Sequence, residues 1–552
     1  MANESLPAYL ATAKPNPFSN RAPWYKNTAQ TYAGIFLWIA FYDQLAGTVG
    51  GPGTLGMAGL GLALLALVAA GLISHFLFYF VPGMLGLKTG YPLYIVGTST
   101  FGTKGGYFLP GIFMGLLQIG WYSVATYYAT KLVLGGFGLG QYDNTLLGPP
   151  PPGGENAFSL VFVVLAVAWG YMFAFLGGMG IGMVAKLSTY FPVVPIVMLI
   201  IGGAMAAGHL GRYDREESVH NSLAAASVLQ TAQDQAEQEA KAAGQSEQEV
   251  RRAGAIARQK MAEQPVDLDT LTATDVDKSN AMLTGALKMA GFLLMIQLVV
   301  GFFATAGACG ADFCSNNRNV KDVRMGGLVG VALVTLFAGG LAVLAVAGAH
   351  GALAERLTTG EAKWGQLVNF QFSGALPVLS TGLGNVMLIL FAIGSVAPAC
   401  FCSFIIGNSL STMLAKPQAR VAITMAGATI GIVLAALGVA GNLAPFFGLI
   451  GASFGPVIGA MMADYVLCKG KWSGPRAGVN IPGYVAWIMG FIVGVSNNGF
   501  LFGAQPPVPG WFPTGVASLI VGFIVYWLLA KAGLESKTVP FAVAPSDAPA
   551  TE

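Results

Sequence analysis

The sequence predicts an all-α polytopic membrane protein with twelve transmembrane helices. Three observations carry that prediction. The 552-residue chain is 55% hydrophobic and only 10% charged, whereas a soluble domain carries roughly a quarter charged residues. Its apolar residues gather into twelve stretches, each at least the ~20 residues that cross a ~30 Å hydrocarbon core. Taken alternately, the short connections place their basic residues on one side, the pattern of loops retained in the cytoplasm.

The elements follow in order. Met1 to Tyr25 is polar and Pro-rich with no apolar run, so no cleavable leader is expected and the first span drives insertion. Spans are expected at 31–50, 54–84, 106–135, 158–178 and 183–208, then at 284–309, 324–349, 378–412, 420–440 and 443–468, and finally at 481–502 and 512–531. The second and eighth are longer than a straight crossing needs, which predicts tilt or a break. With the N-terminus inside, the inner loops hold Lys88, Lys104, Lys186, Arg318, Lys321, Lys416, Lys469 and Arg476, and the short outer loops hold only Arg356 and Lys363. Both termini are therefore expected in the cytoplasm, with the chain in the plasma (inner) membrane.

The expected organisation is a cytoplasmic tail (1–30), spans one to five (31–207), an insertion (208–280), spans six to ten (281–468), spans eleven and twelve (469–531) and a second cytoplasmic tail (532–552). The insertion holds 13 of the 25 acidic residues. Its run QTAQDQAEQEAKAAGQSEQEVRRAGAIARQKMAEQ reads as a solvated helix or helical hairpin on the outer side. It is either a tolerated surface insertion, or a lid or docking site for an extracytoplasmic partner. The run Gly148–Gly154 (GPPPPGG) reads as a stiff connector.

Several function classes drop out. A net charge of +3 gives no footprint for nucleic acid. The five cysteines form no disulfide or metal-ligand spacing. The spans hold no paired carboxylates with a nearby His and no nucleophile elbow, which argues against an enzyme.

Two spans look interrupted. The first, TYAGIFLWIAFYDQLAGTVGGPG, carries Asp43, Gln44 and glycines from Gly47. The sixth, GFFATAGACGADF, has glycines at 301, 307 and 310. Breaks five helices apart suggest two repeats of five, and in transporters such breaks line substrate and ion sites. In the third span Gln118 and Trp121 lie three residues apart, so they share a helix face. An amide and a flat ring on one buried face suit a flat ligand with a hydrogen-bonding edge; an interhelical Gln beside a packing Trp is the alternative. Asp43 lies about a dozen residues into its span, ~18 Å deep, and reads either as a proton-coupling group or as a wet structural residue beside the break. His75 reads as a packed core histidine, and Asp312 and Asp464 as pairing or capping residues near inner span ends.

Four stretches resemble the nucleobase:cation symporter family, also called the purine–cytosine permease family, which includes cytosine permeases and hydantoin transporters. They are NRAPWYKNTAQTYAGIFLW into the first span, GLLQIGWYSV in the third, VVGFFATAGACGADF followed by NNRN in the sixth, and GPVIGAMMADYVL in the tenth. The resemblance implies a LeuT-like fold, with five-plus-five inverted repeats and two C-terminal helices. It implies no cofactor, and import of a nucleobase or related flat heterocycle by Na⁺ or H⁺ symport through alternating access. Hydantoin, allantoin, thiamine-type and pyridoxine-type ligands remain open, as does a non-transporting membrane sensor.

Family roles carry over residue by residue. The ligand-stacking Trp falls on Trp121 and the edge-binding Gln on Gln118. The second ring falls on Phe303. The position before it, a Ser in cytosine-type sites, is Phe302 here. In the eighth span, SVAPACFCSFIIGNS, Ser403 matches a ligand-binding Asn. Ala397 and Pro398 stand where sodium-binding members place polar ligands. Ser395 and backbone freed by Pro398 are left as cation ligands, and the identity of any bound metal ion stays unknown.

Overall fold

The computed structural model describes residues 6–139, 160–274, 285–441, 443–503 and 505–541. The connector 148–154 and residues 275–280 of the insertion lie outside the described residues.

The first expected span is not a continuous crossing. It splits into α1 (Thr28–Phe36) and α2 (Ile39–Tyr42), with Trp38 extended between them at φ −84°, ψ 129°. The interruption carries no glycine. The glycines from Gly47 lie beyond the helix, where Thr48 and Gly51 close a turn.

Four long apolar helices follow: α3 (Leu60–Thr89), α4 (Tyr107–Gly136), α5 (Leu160–Gly178) and α6 (Lys186–Ala207). The second span begins later than the expected residue 54 because Gly59, at φ +76°, turns the chain between a short helix and α3. Such a dihedral favours a residue without Cβ. Wide π-helical turns interrupt α3 at Ser74–Tyr79 and α4 at Tyr107–Ile112. The second contains Pro110, which has no N–H to give a regular turn.

The insertion forms α7 (Arg215–Ala242) and α8 (Glu247–Glu263). Side-chain caps start both: Asp214 accepts from the Glu217 amide at 2.8 Å, and Ser246 and Glu249 cap one another reciprocally. The Ser246 hydroxyl and amide hold exposed Glu249 below the usual carboxylate range. The two helices fold back on each other, Gly254 lying against Glu237. α7 and the segment after α8 also dock on the rest of the protein. Arg215 donates to the Gly56 carbonyl at 2.8 Å, and the Val266 amide to the Ala362 carbonyl at 2.8 Å.

The sixth span is α9 (Gly285–Ala308) and a short α10 (Gly310–Cys314), parted at Cys309. Next come α11 (Val320–Thr359), a short α12 (Phe372–Leu379), α13 (Thr381–Met413), α14 (Arg420–Ala436) and α15 (Leu443–Leu467). The eighth span, α13, bends at Ser395, just before Pro398. The seventh, α11, runs ten residues past its expected end and stops at left-handed Gly360. The last two are α16 (Ile481–Gly494) and α17 (Thr514–Lys531). Ten described helices are thus long and apolar enough to cross a bilayer. Of the twelve expected crossings, the first is broken and the eleventh is a 14-residue helix.

Burial sorts the helices. The central windows of α9, α13 and α15 are 78%, 78% and 83% buried, against 33% in α5, α6 and α17. The outer helices expose Leu160, Phe175, Ile200 and Leu528, an apolar surface of the kind that faces lipid. α9 itself belongs to the interrupted sixth span, and its Gly301 lies against Phe447 of α15.

At the end that carries both tails, a buried polar network ties α15 to the loop before α4 and to the C-terminal tail. Asp464 pairs with Arg476 at 2.9 Å, each side chain only 5% exposed, and accepts from Ser99 Oγ at 2.6 Å. Arg476 also reaches Glu535 at 2.8 Å, which accepts from the Tyr526 hydroxyl at 2.9 Å. Removing one partner of a buried ion pair strands the other. Asp464→Ala is therefore expected to cost about 3 kcal/mol, read as a lower Tm of the purified protein in detergent. An unchanged Tm would remove the pair from the stabilising contacts.

Candidate functional site

The two interrupted spans meet at the centre of the bundle. Tyr32 of α1 donates its hydroxyl to the Ala306 carbonyl at 2.9 Å, one of the last carbonyls of α9, which lack partners within the helix. Beside this contact lies a small cavity of about 30 Å³. Ile35 and Trp38 line it from the first span, Gln118 and Trp121 from α4, Phe302, Thr305 and Ala306 from α9, and Pro398, Phe401 and Cys402 from α13. A water needs about 10–15 Å³, so the cavity is contracted to the size of a water or two.

Its polar groups differ in how far they are engaged. The Trp121 indole N–H donates to Thr305 Oγ1 at 3.0 Å. The Gln118 amide has Met114 Sδ at 3.6 Å, and a thioether is a weak acceptor. The Trp38 indole N–H is buried and meets no acceptor among the described residues. Rings close the cavity on the side away from the tails. Trp121 lies 4.9 Å from Phe446, 5.1 Å from Phe302 and 5.8 Å from Trp38, and Phe41 lies 4.9 Å from Phe302.

A larger cavity of about 420 Å³ lies at the end that carries the tails. Lys26, Asn27, Tyr94, Asp312, Asn316 and Asn408 are among the residues that line it. Asp312 accepts from the Leu93 amide at 3.2 Å. Phe401 borders both cavities.

The residues singled out in the sequence separate in space. Gln118, Trp121 and Phe302 share the small cavity. Phe303 does not line it: its ring stacks on Phe36 at 5.3 Å and 20° and lies 5.6 Å from Tyr32. One residue along a helix is about 100° of rotation, so Phe302 takes the wall instead. Ser403 faces α5, with its hydroxyl 2.9 Å from the Cys400 carbonyl and 3.3 Å from that of Phe173. Ser395 Oγ donates within its own helix to the Phe391 carbonyl at 3.4 Å. Asp43 lies at the far end from the tails. Its carboxylate accepts from the Ser373 amide at 2.7 Å and its carbonyl from the Phe372 amide at 2.9 Å, so it caps α12. The cavity adds Trp38, Thr305, Phe401 and Cys402, which the sequence did not mark; a hydroxyl in the apolar run before the Cys309 break was the one available signal, for Thr305. Among the described residues no group of three or more His, Cys, Asp or Glu is placed to hold a metal ion.

This arrangement defines a helical membrane protein of the LeuT-like class, built around two broken spans. Among solved structures, the chain is similar to Mhp1, a nucleobase-cation-symport-1 family transporter, in a closed conformation with bromovinylhydantoin bound. The TM-score is 0.55 at 15% identity, over 95% of this chain and 96% of that one. The inward-facing conformation of Mhp1 gives a TM-score of 0.50 at 14% identity, over 96% and 99% of the two chains. At this identity the likeness establishes the fold. No family model and no curated protein matches the sequence.

The place of Asp43 has a measurable consequence. Asp43→Ala removes a helix cap and is expected to cost about 1 kcal/mol. Hydrogen–deuterium exchange should rise at Phe372–Leu379. Unchanged exchange there would contradict the capping role.

Proposed function

We propose that the protein is a secondary active transporter. It imports a nucleobase or related flat heterocycle by symport with Na⁺ or H⁺. The observation that carries this reading is the placement of the Gln118 amide and the Trp121 and Phe302 rings around one small cavity where two interrupted spans meet. The fold is shared with a transporter that has been solved with a hydantoin bound.

The chemistry favours a ligand with a flat face and a mixed edge. Stacking a base on an aromatic ring is worth ~1–3 kcal/mol. A carboxamide matches an adjacent donor and acceptor on a ring edge, and the Trp38 N–H adds a donor for a carbonyl. Pyrimidines, purines and hydantoins all meet that description. Hydantoin-type ligands are the favoured alternative to nucleobases, because the Mhp1 structure contains one.

The basic inner loops support cytoplasmic tails in a plasma (inner) membrane, which makes the larger cavity the exit path. Asp43 and Ser395 are both engaged elsewhere, so neither is assigned to the coupling ion. The docking of α7 and of the segment after α8 on the rest of the protein supports a built-in outer cover over an arm for a separate partner.

Trp121→Ala tests the site. Labelled uracil, hypoxanthine and 5-substituted hydantoins are screened for binding to the native protein. Affinity for the ligand found should then fall about tenfold to a hundredfold in the variant, with expression and gel-filtration profile unchanged. Retained affinity would remove Trp121 from the site.

A further inference from the structure

The two cavities are stacked, and the layer between them is one side chain thick. Three spans pair a residue of the small cavity with one of the large cavity a single turn away: Ile35 with Thr31, Gln118 with Met114, and Thr305 with Cys309. On α13, Phe401 borders both, with Cys402 in the small cavity and Ile405 in the large one. A helical turn is about 5.4 Å, too short for more than one layer of side chains.

Two side chains fill that layer. Met114 lines the large cavity, and its sulfur lies 3.6 Å from Gln118 Nε2 and 4.0 Å from Cys309 Sγ. The Phe401 ring leans on Phe313 at 5.2 Å, just beyond the break in the sixth span. The Met114 side chain moves cheaply. Methionine has three rotatable side-chain bonds and adapts to irregular gaps, and a thioether surrenders an amide N–H more readily than an oxygen acceptor does. The opposite wall is different: Trp38, Phe41, Phe302, Phe446 and Trp121 pack there ring against ring.

We propose that Met114 and Phe401 are the inner gate of the ligand cavity, and that the Met114 thioether holds the Gln118 amide in place of a ligand. The proposal rests on the transporter reading for its meaning, but the gate is a property of the protein alone. A ligand carbonyl displaces the sulfur from Gln118. Rotation of Met114 and Phe401 then opens the cavity toward the tails, without disturbing the aromatic wall behind it. Met114 is a positioning residue: it acts through Gln118.

One native and one introduced cysteine report on the gate. Cys402 lines the small cavity, and half-buried Asn408 lines the large one. In two single-cysteine proteins, one keeping Cys402 with the other four cysteines replaced by Ser and one carrying Asn408→Cys with all five replaced, the modification rate by a small charged methanethiosulfonate is measured in detergent without any ligand. The Asn408→Cys thiol should react at least tenfold faster than Cys402. Met114→Ala or Phe401→Ala should raise the Cys402 rate about tenfold and so close the gap, whereas Met114→Leu, which keeps the volume, should leave it. Unfolding would raise both rates together, so their ratio isolates the gate. Equal rates in the parent, or a ratio unmoved by both alanine variants, would overturn the proposal. Because no ligand is used, failure here leaves the transporter reading standing, and failure of ligand binding leaves this test intact.

Discussion

A membrane interior offers no water to a broken helix, and the centre of this protein is organised around that constraint. An unsatisfied backbone group in hydrocarbon costs several kcal/mol. The chain nevertheless unwinds at Trp38, and the sixth span is interrupted at Cys309, whose own backbone stays in the right-handed helical region. Both interruptions lie in the interior of the bundle, where α9, α13 and α15 are the most buried of the spans. The Tyr32 hydroxyl supplies a donor to the Ala306 carbonyl at the end of α9, so one broken span satisfies the other. The poorly buried helices then act as the lipid-facing jacket. The position of the site follows: it lies where unwound backbone has been brought together.

The same constraint explains the character of the cavity. A buried amide and two buried indoles have few partners available, and each is in a different state of engagement. Trp121 is fixed by Thr305, Gln118 is loosely held by a sulfur, and Trp38 is unpaired among the described residues. Leaving a buried donor unmade costs about 1–3 kcal/mol. That strain is relieved if a ligand supplies the acceptor. A small, incompletely satisfied cavity leaves a ligand free energy to gain on binding, whereas a fully satisfied one would leave none.

Part of this was legible in the sequence because it follows from periodicity and cost. An amide three residues from an indole, in a span whose one charged residue is Lys131, marks one face of α4, and Gln118 and Trp121 do share a cavity. The polar Ala-, Gln- and Glu-rich run reads as a helical hairpin, and α7 and α8 form one. Other features depend on angles that a sequence carries only weakly. Whether Phe302 or Phe303 forms the wall is a matter of about 100° of helix rotation. The first break carries no glycine, so it was expected at Gly47 and occurs at Trp38, where packing of the surrounding rings holds an extended residue. The sequence leaves Asp43 open between a proton-coupling group and a structural residue beside the break; the partners of its carboxylate and carbonyl are the amides of Ser373 and Phe372, some 330 residues away in the chain. Ser403 lies next to Gly177 of α5, a close approach that only the assembled bundle reveals.

The most direct measurement is uptake by the purified native protein in proteoliposomes, with labelled nucleobases and hydantoins and an imposed Na⁺ or pH gradient. The predicted result is accumulation above the external concentration, driven by one of the two gradients and lost when that gradient is collapsed. Specific binding with no accumulation under either gradient would contradict a symporter and favour a membrane sensor.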